Sequence, residues 1–96
     1  MAGRVGKQEL TFPAPEECYD TGRDVVAFWG LDRDQRIRCA ISQEALDDHF
    51  RGDNRNKIEV FRENLLVIEE IARRKYLSGR VEPNGTVLIR TDDIPH

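Results

Sequence analysis

This chain of 96 residues has only two cysteines, two histidines and one tryptophan, and its seven glycines never gather into a loop. Cys18 and Cys39 stand alone, with no C-x-x-C pair and no histidine beside either. That excludes a disulfide scaffold and the usual spacing of a zinc site. His96 is terminal and His49 is the sole internal histidine, so no serine or cysteine has a base set out for it in the sequence. Gly22, Gly30, Gly52, Gly79 and Gly85 are too scattered to cradle a phosphate. No apolar run approaches the roughly 18 residues of a membrane span, and Met1 to Lys7 lack the apolar centre of a signal peptide. A cytoplasmic protein without a membrane partner is therefore expected, with residues 1–8 as a flexible tail before a single domain over 9–96.

Charge of either sign is plentiful but nearly balanced, at a net of -3. The whole-chain field opposes polyanions, so any nucleic-acid contact needs a local basic patch. Acidic clusters make poor metal sites here. Asp47-Asp48-His49 sits on a predicted helix, where adjacent side chains point apart, and Asp92-Asp93 has no histidine to help. Asp53-Asn54-Arg55-Asn56 opens like a calcium loop, yet Ile58 and Asn64 occupy the places of the required glycine and glutamate. No metal and no cofactor is expected.

What the chain does have is alternating pattern. Leu10-Thr11-Phe12 reads as a short edge strand stopped by Pro13-Ala14-Pro15, and Glu16 to Asp24 as irregular surface chain, with Cys18 in it as a candidate reactive thiol. Val25 to Leu31 is β-branched and aromatic on both faces, as a strand covered on two sides would be. Arg36 to Ile41 alternates cleanly, with Ile37, Cys39 and Ile41 on one face and Arg36 and Arg38 on the other, so Cys39 reads as a buried small hydrophobe. The polar Asp32 to Gln35 joins the two strands as a hairpin. Ser42 is placed to cap a short helix ending near Phe50. Glu82-Pro83-Asn84-Gly85 is strong turn chemistry, and it is expected to join Arg80-Val81 to Thr86 through Arg90 in a second hairpin.

Between these lies a helix expected from about Asn56, as N-cap with Glu59 three residues on, to Ser78-Gly79 as its stop. Ile58, Phe61, Leu65, Ile68, Ala72 and Tyr76 form one apolar stripe at helical spacing, and Val60, Val67 and Ile71 a second beside it. Leu66 and Leu77 fall outside both. Either the wide face meets the sheet and the short helix together, or the second stripe meets another copy of the chain. In the latter case Val60, Asn64, Val67 and Ile71 are the self-association residues, with Asn64 and Lys75 making the contact partly wet.

A second candidate surface depends on the hairpin register, because a slip of one residue exchanges the faces. With a four-residue turn over Asp32 to Gln35, Trp29 shares a face with Arg36 and Arg38, forming a cation and aromatic platform able to stack a base or hold an acidic peptide. With a three-residue turn, Trp29 joins the isoleucines in the core. The plainer reading has this face covered by a segment such as Leu10 to Phe12, with the arginines reaching past its rim.

The order of elements resembles one family. Phe12, Tyr19-Asp20, the VVAFWG strand, IRCAIS, EALDDHF, the helix containing IEEIARRKY and the closing NGTVLIRTDDI are similar to the small bacterial domain-of-unknown-function family 1488, over about Leu10 to Ile94. The resemblance implies a short bacterial protein of α+β fold and brings no catalytic residues with it.

The expected architecture is α+β, with an antiparallel sheet of about four to five strands packed against one short and one long helix. The expected function is a non-enzymatic binding or protein-interaction module, with a homodimer or a small protein partner. The rival is a nucleic-acid-associated regulatory protein that uses Trp29, Arg36 and Arg38.

Overall fold

The computed structural model describes residues 9–13 and 18–94. The expected tail over residues 1–8 lies outside them. Strands β1 (Cys18–Asp20), β2 (Val25–Asp32), β3 (Gln35–Ser42) and β4 (Val87–Ile89) make one sheet in the order β1-β2-β3-β4. The β2–β3 hairpin pairs Trp29 with Arg38 and Phe28 with Cys39, which is the register of the four-residue turn. Pairing runs on to Asp32 and Gln35, so Arg33 and Asp34 make the tip, with Arg33 in the left-handed region at φ 59°.

The fold class is α+β, but the sheet is mixed, and the described residues form four strands and three α-helices. β4 lies parallel to β3, through Cys39 against Val87 and Ile41 against Ile89. The expected second hairpin does not form. Its turn does, with the Gly85 amide donating to Glu82 O and the Glu82 amide to Thr86 O, but Arg80 and Val81 do not form a strand. Parallel neighbours need a long crossover, and the helices between β3 and β4 supply it. At the other edge, Cys18–Asp20 pairs with β2, where irregular chain was expected. Leu10 to Phe12 contributes only a bridge between Thr11 and Leu31.

Helix α1 (Gln43–Phe50) begins as expected, with Ser42 Oγ accepting from the Ala45 amide at 3.1 Å. The long helix is instead two, α2 (Lys57–Glu63) and α3 (Leu65–Leu77). Asn56 caps α2 by accepting from the Glu59 amide. Asn64 divides the pair at φ -118° and ψ 22°, and its side-chain amide donates to Val60 O at 2.9 Å. A side chain bonding into the ladder four residues back offers the backbone an alternative to continuous helix, and the helix is interrupted there. α3 stops at Gly79, left-handed at φ 79°, with the Arg80 amide returning to Lys75 O.

One face of the sheet carries the core. Val26, Phe28, Ile37, Cys39, Ile41, Val87 and Ile89 meet Leu46, Val60, Phe61, Ile68, Ala72 and Tyr76 in a contiguous cluster. Gly30 lies on this face because Leu10 and Phe12 cross over it. A Cβ there would stand 2.7 Å from Leu10 Cδ1 and 3.0 Å from a Phe12 ring carbon. Gly30→Ala is expected to cost about 1 kcal/mol by overpacking, the Leu10 side chain yielding at its end. Chemical denaturation would measure it, and an unchanged midpoint would mean that Leu10 to Phe12 is not seated there.

Candidate interaction surface

The packing of α2 and α3 on the sheet divides the residues of the two stripes between core and solvent. The first stripe is core as read: Phe61, Ile68, Ala72 and Tyr76 are buried, and Ile58 and Leu65 pack against them. The second divides. Val60 is fully buried and unavailable to a partner, Ile71 is half-buried against the core, and Val67 is 54% exposed. Asn64, expected at a wet contact, instead bonds its own helix.

Lys75 likewise corrects the expectation of a wet position. It is buried, with Nζ donating to Asp93 Oδ2 at 2.6 Å and to Leu88 O. Asp93 also accepts from the Arg90 amide at 2.8 Å, and Arg80 stands 3.7 Å away. Burial pushes the Asp93 carboxyl up, but Lys75, the Arg90 amide and Arg80 outweigh it and hold it below the ordinary range. This cluster ties α3 to β4 and to the 3-10 turn Thr91–Asp93. His49 Nε2 lies 3.0 Å from Thr91 O, and the Thr91 hydroxyl donates to Asp48 at 3.0 Å, fastening the same turn to α1. Asp47 holds Lys57. Asp47, Asp48 and Asp93 are thus engaged in joining elements.

Between the end of α1, the outer side of α3 and this turn runs an open groove of about 690 Å³. Phe50, Ile71 and Ile94 give it an apolar lining, Glu70 and Arg74 a charged edge, and Leu66 and Val67 one end. Leu66 is 81% exposed and Leu77 46%. Both lie outside the two apolar stripes of the sequence. Their spacing carried the signal, since eleven residues are about three helical turns and return to nearly the same face. Glu70 lies between them, bonded to both Arg73 and Arg74.

On the far side of the sheet, the register brings Trp29, Arg36 and Arg38 together. The Arg36 guanidinium lies 4.3 Å from the Trp29 ring centroid, and Arg38 is 3.9 Å from Asp20. Leu10 to Phe12 does not cover this face. Leu10 is buried in the core cluster and Phe12 packs against it, its ring 5.9 Å from Phe28. Arg73 secures that segment, donating to Leu10 O at 2.9 Å and lying over the Phe12 ring. Tyr76 donates to Asp32 at the end of β2, and burial first, then that carboxylate, pushes its hydroxyl up to about 12.

Cys39 is wholly buried, as its alternation implied, and burial pushes its thiol up to about 12. Among the described residues, no group of three His, Cys, Asp or Glu side chains is placed to hold a metal ion, and no helix is long and apolar enough to cross a membrane.

No curated protein matches this chain. A solved structure, that of a protein of unknown function from the DUF1488 family of Shewanella loihica PV-4, superposes with a TM-score of 0.76 at 20% identity, covering 85% of this chain and 92% of that one. At that identity the likeness concerns the fold alone. The family model described as "Protein of unknown function (DUF1488)" matches residues 10–89, which include all of β1 to β4 and α1 to α3. The chain belongs to the DUF1488 family.

Proposed function

We propose that this protein is a non-enzymatic interaction module that binds another protein chain through the outer face of α3 and the adjoining groove. One observation carries the reading: Leu66 and Val67 stand 81% and 54% exposed at the end of a groove lined by Phe50, Ile71 and Ile94. Single exposed apolar residues are ordinary, but a contiguous group beside a concave apolar surface is the usual mark of a partner site. The Lys75–Asp93 cluster fixes the groove's walls, so the surface is formed before a partner arrives.

Cross-linking of the protein in its native cell, read by mass spectrometry, tests this. Links to a second chain should concentrate on α3 and on the end of α1. They should fall away in Leu66→Asp/Val67→Asp, whose fold stability should change by no more than about 0.5 kcal/mol because both side chains are exposed. An α3 that acquires no intermolecular links would remove the reading.

The sheet face supports a second reading, a nucleic-acid-associated protein that uses Trp29, Arg36 and Arg38. The hairpin register brings the three together. It ranks second because Arg36 already lies over the indole and Asp20 stands beside Arg38, so a base would displace the one and a phosphate would meet the other. Tryptophan fluorescence with mixed single-stranded oligonucleotides at low salt tests it. Binding should weaken with added salt and on Arg38→Ala, and no response would dispose of it.

A further inference from the structure

The partner of α3 is identified by the pattern the helix displays. Leu66, Glu70, Arg73 and Leu77 follow one another along the side of the helix opposite its buried Ile68, Ala72 and Lys75, with Arg74 beside them and Arg73 at the margin, where it reaches Leu10 O. Glu70 is 45% exposed at its side chain, Arg73 37% and Arg74 73%. A two-fold axis beside the midpoint between Ile71 and Ala72 exchanges Leu66 with Leu77 and Glu70 with Arg73. Each apolar position thereby maps onto an apolar one and each charge onto its opposite. A foreign surface would have to match this order by separate design, whereas an antiparallel second copy matches it by symmetry.

We infer that the outer face of α3 pairs with the same face of a second copy of this chain, the two helices running antiparallel, with Leu66 against the partner's Leu77 and Glu70 against the partner's Arg73. The inference rests on the interaction reading above and names its partner. Two-fold pairing of one patch with itself is the commonest form of self-association. Glu70 already bonds Arg73 and Arg74 within its own helix, and Arg73 Nε donates to Leu10 O, but a guanidinium has five donors, so each arginine keeps N–H groups for the partner's carboxylate. The four charges then close into a network across the axis. The opposite, parallel arrangement would set Glu70 beside Glu70 and the arginines beside arginines. The seam is about 20 Å long, the length of a 13-residue helix, which places the dimer among small interfaces of modest affinity.

Two measurements test it together. Sedimentation equilibrium of the wild-type chain should show a monomer–dimer equilibrium at high micromolar concentration, weakened at least about tenfold by Leu66→Asp. Separately, Leu66→Cys and Leu77→Cys are each made in a Cys18→Ser background, where the remaining native thiol, Cys39, is buried. Mixed and oxidised, the two should form a disulfide-linked heterodimer, because the antiparallel seam sets position 66 opposite 77. Each alone should stay unlinked, since like positions lie about 16 Å apart along the axis, beyond the reach of a disulfide. A monomer at every concentration to about 1 mM, or homodimers linked more readily than the mixture, would overturn the pairing. If cellular cross-links from α3 then led to a different protein, the interaction reading would stand without it.

Discussion

Phe61→Ala is expected to lower the free energy of unfolding by about 4 kcal/mol, the largest effect of any single truncation proposed for this chain. Phe61 is fully buried, and its ring centroid lies 5.0 Å from that of Phe28, which in turn lies 5.9 Å from Phe12. The three rings join α2, the centre of the sheet and the segment crossing Gly30. Removing the middle of α2's contribution forfeits both the transfer free energy of the ring and the contacts of the atoms left around the void. A domain of this size has about 5–14 kcal/mol in total, so the variant should melt about 20 °C lower and populate unfolded chain measurably at physiological temperature. Urea unfolding at 25 °C followed by circular dichroism would check it. A loss under about 1 kcal/mol would mean that α2 does not dock on the sheet.

Lys75→Met is expected to cost about 3 kcal/mol at neutral pH, through a different cause. The lysine itself carries an apolar stem that methionine replaces well, so packing changes little. What changes is Asp93, whose carboxylate loses its nearest cation while 13% exposed. Leu88 O also loses a donor. The pH dependence separates these contributions. In the wild type the folded chain holds the Asp93 carboxyl below its ordinary value, so as pH falls the unfolded chain takes up the proton first. The pair's stabilisation is therefore complete above about pH 4 and is lost as pH descends through the lower folded value. Without Lys75, burial acts on the carboxyl with less opposition, and protonation relieves the variant instead of harming it. The gap between wild type and Lys75→Met should thus narrow below about pH 4. Lys75→Met/Asp93→Asn, which removes both charges and keeps an acceptor for the Arg90 amide, should recover part of the loss. A pH-independent gap with no recovery would assign the effect to packing.

Lys75 and Asn64 also show where sequence reading stops. Both interrupt an apolar stripe, and from the stripe alone each suggested a moist contact with a partner. In the structure each is satisfied internally, Asn64 by Val60 O and Lys75 by Asp93 and Leu88 O. A polar residue on an apolar face is ambiguous until its partner is known, and Asp93 lies 18 residues from Lys75. Leu66 and Leu77 are the converse. Their shared face was present in their spacing, but two leucines among charges carry meaning only once the buried side of the helix is fixed. The candidate surface was thus half legible: Val67 and Ile71 line the groove, whereas Val60 proved to be core.

The elements whose signals are local were readable. Ser42 and Asn56 cap the helices they precede, the Arg36 to Ile41 alternation gives β3 its buried face, Gly79 ends α3, and the Glu82 to Gly85 turn closes. Each depends on a side chain within a few residues of the backbone group it serves, or on a period of two, and the sequence by itself determines such features. Tertiary structure alone decided the rest. β4 joined β3 in parallel because a buried strand edge takes the partner that the returning chain presents. The helix broke at Asn64, where side-chain bonding and docking on the sheet together outweighed continuous helix. The hairpin register, which puts Trp29 with the arginines and not with the isoleucines, was one of two that the pattern allowed. Cross-strand burial, which is non-local, selected it.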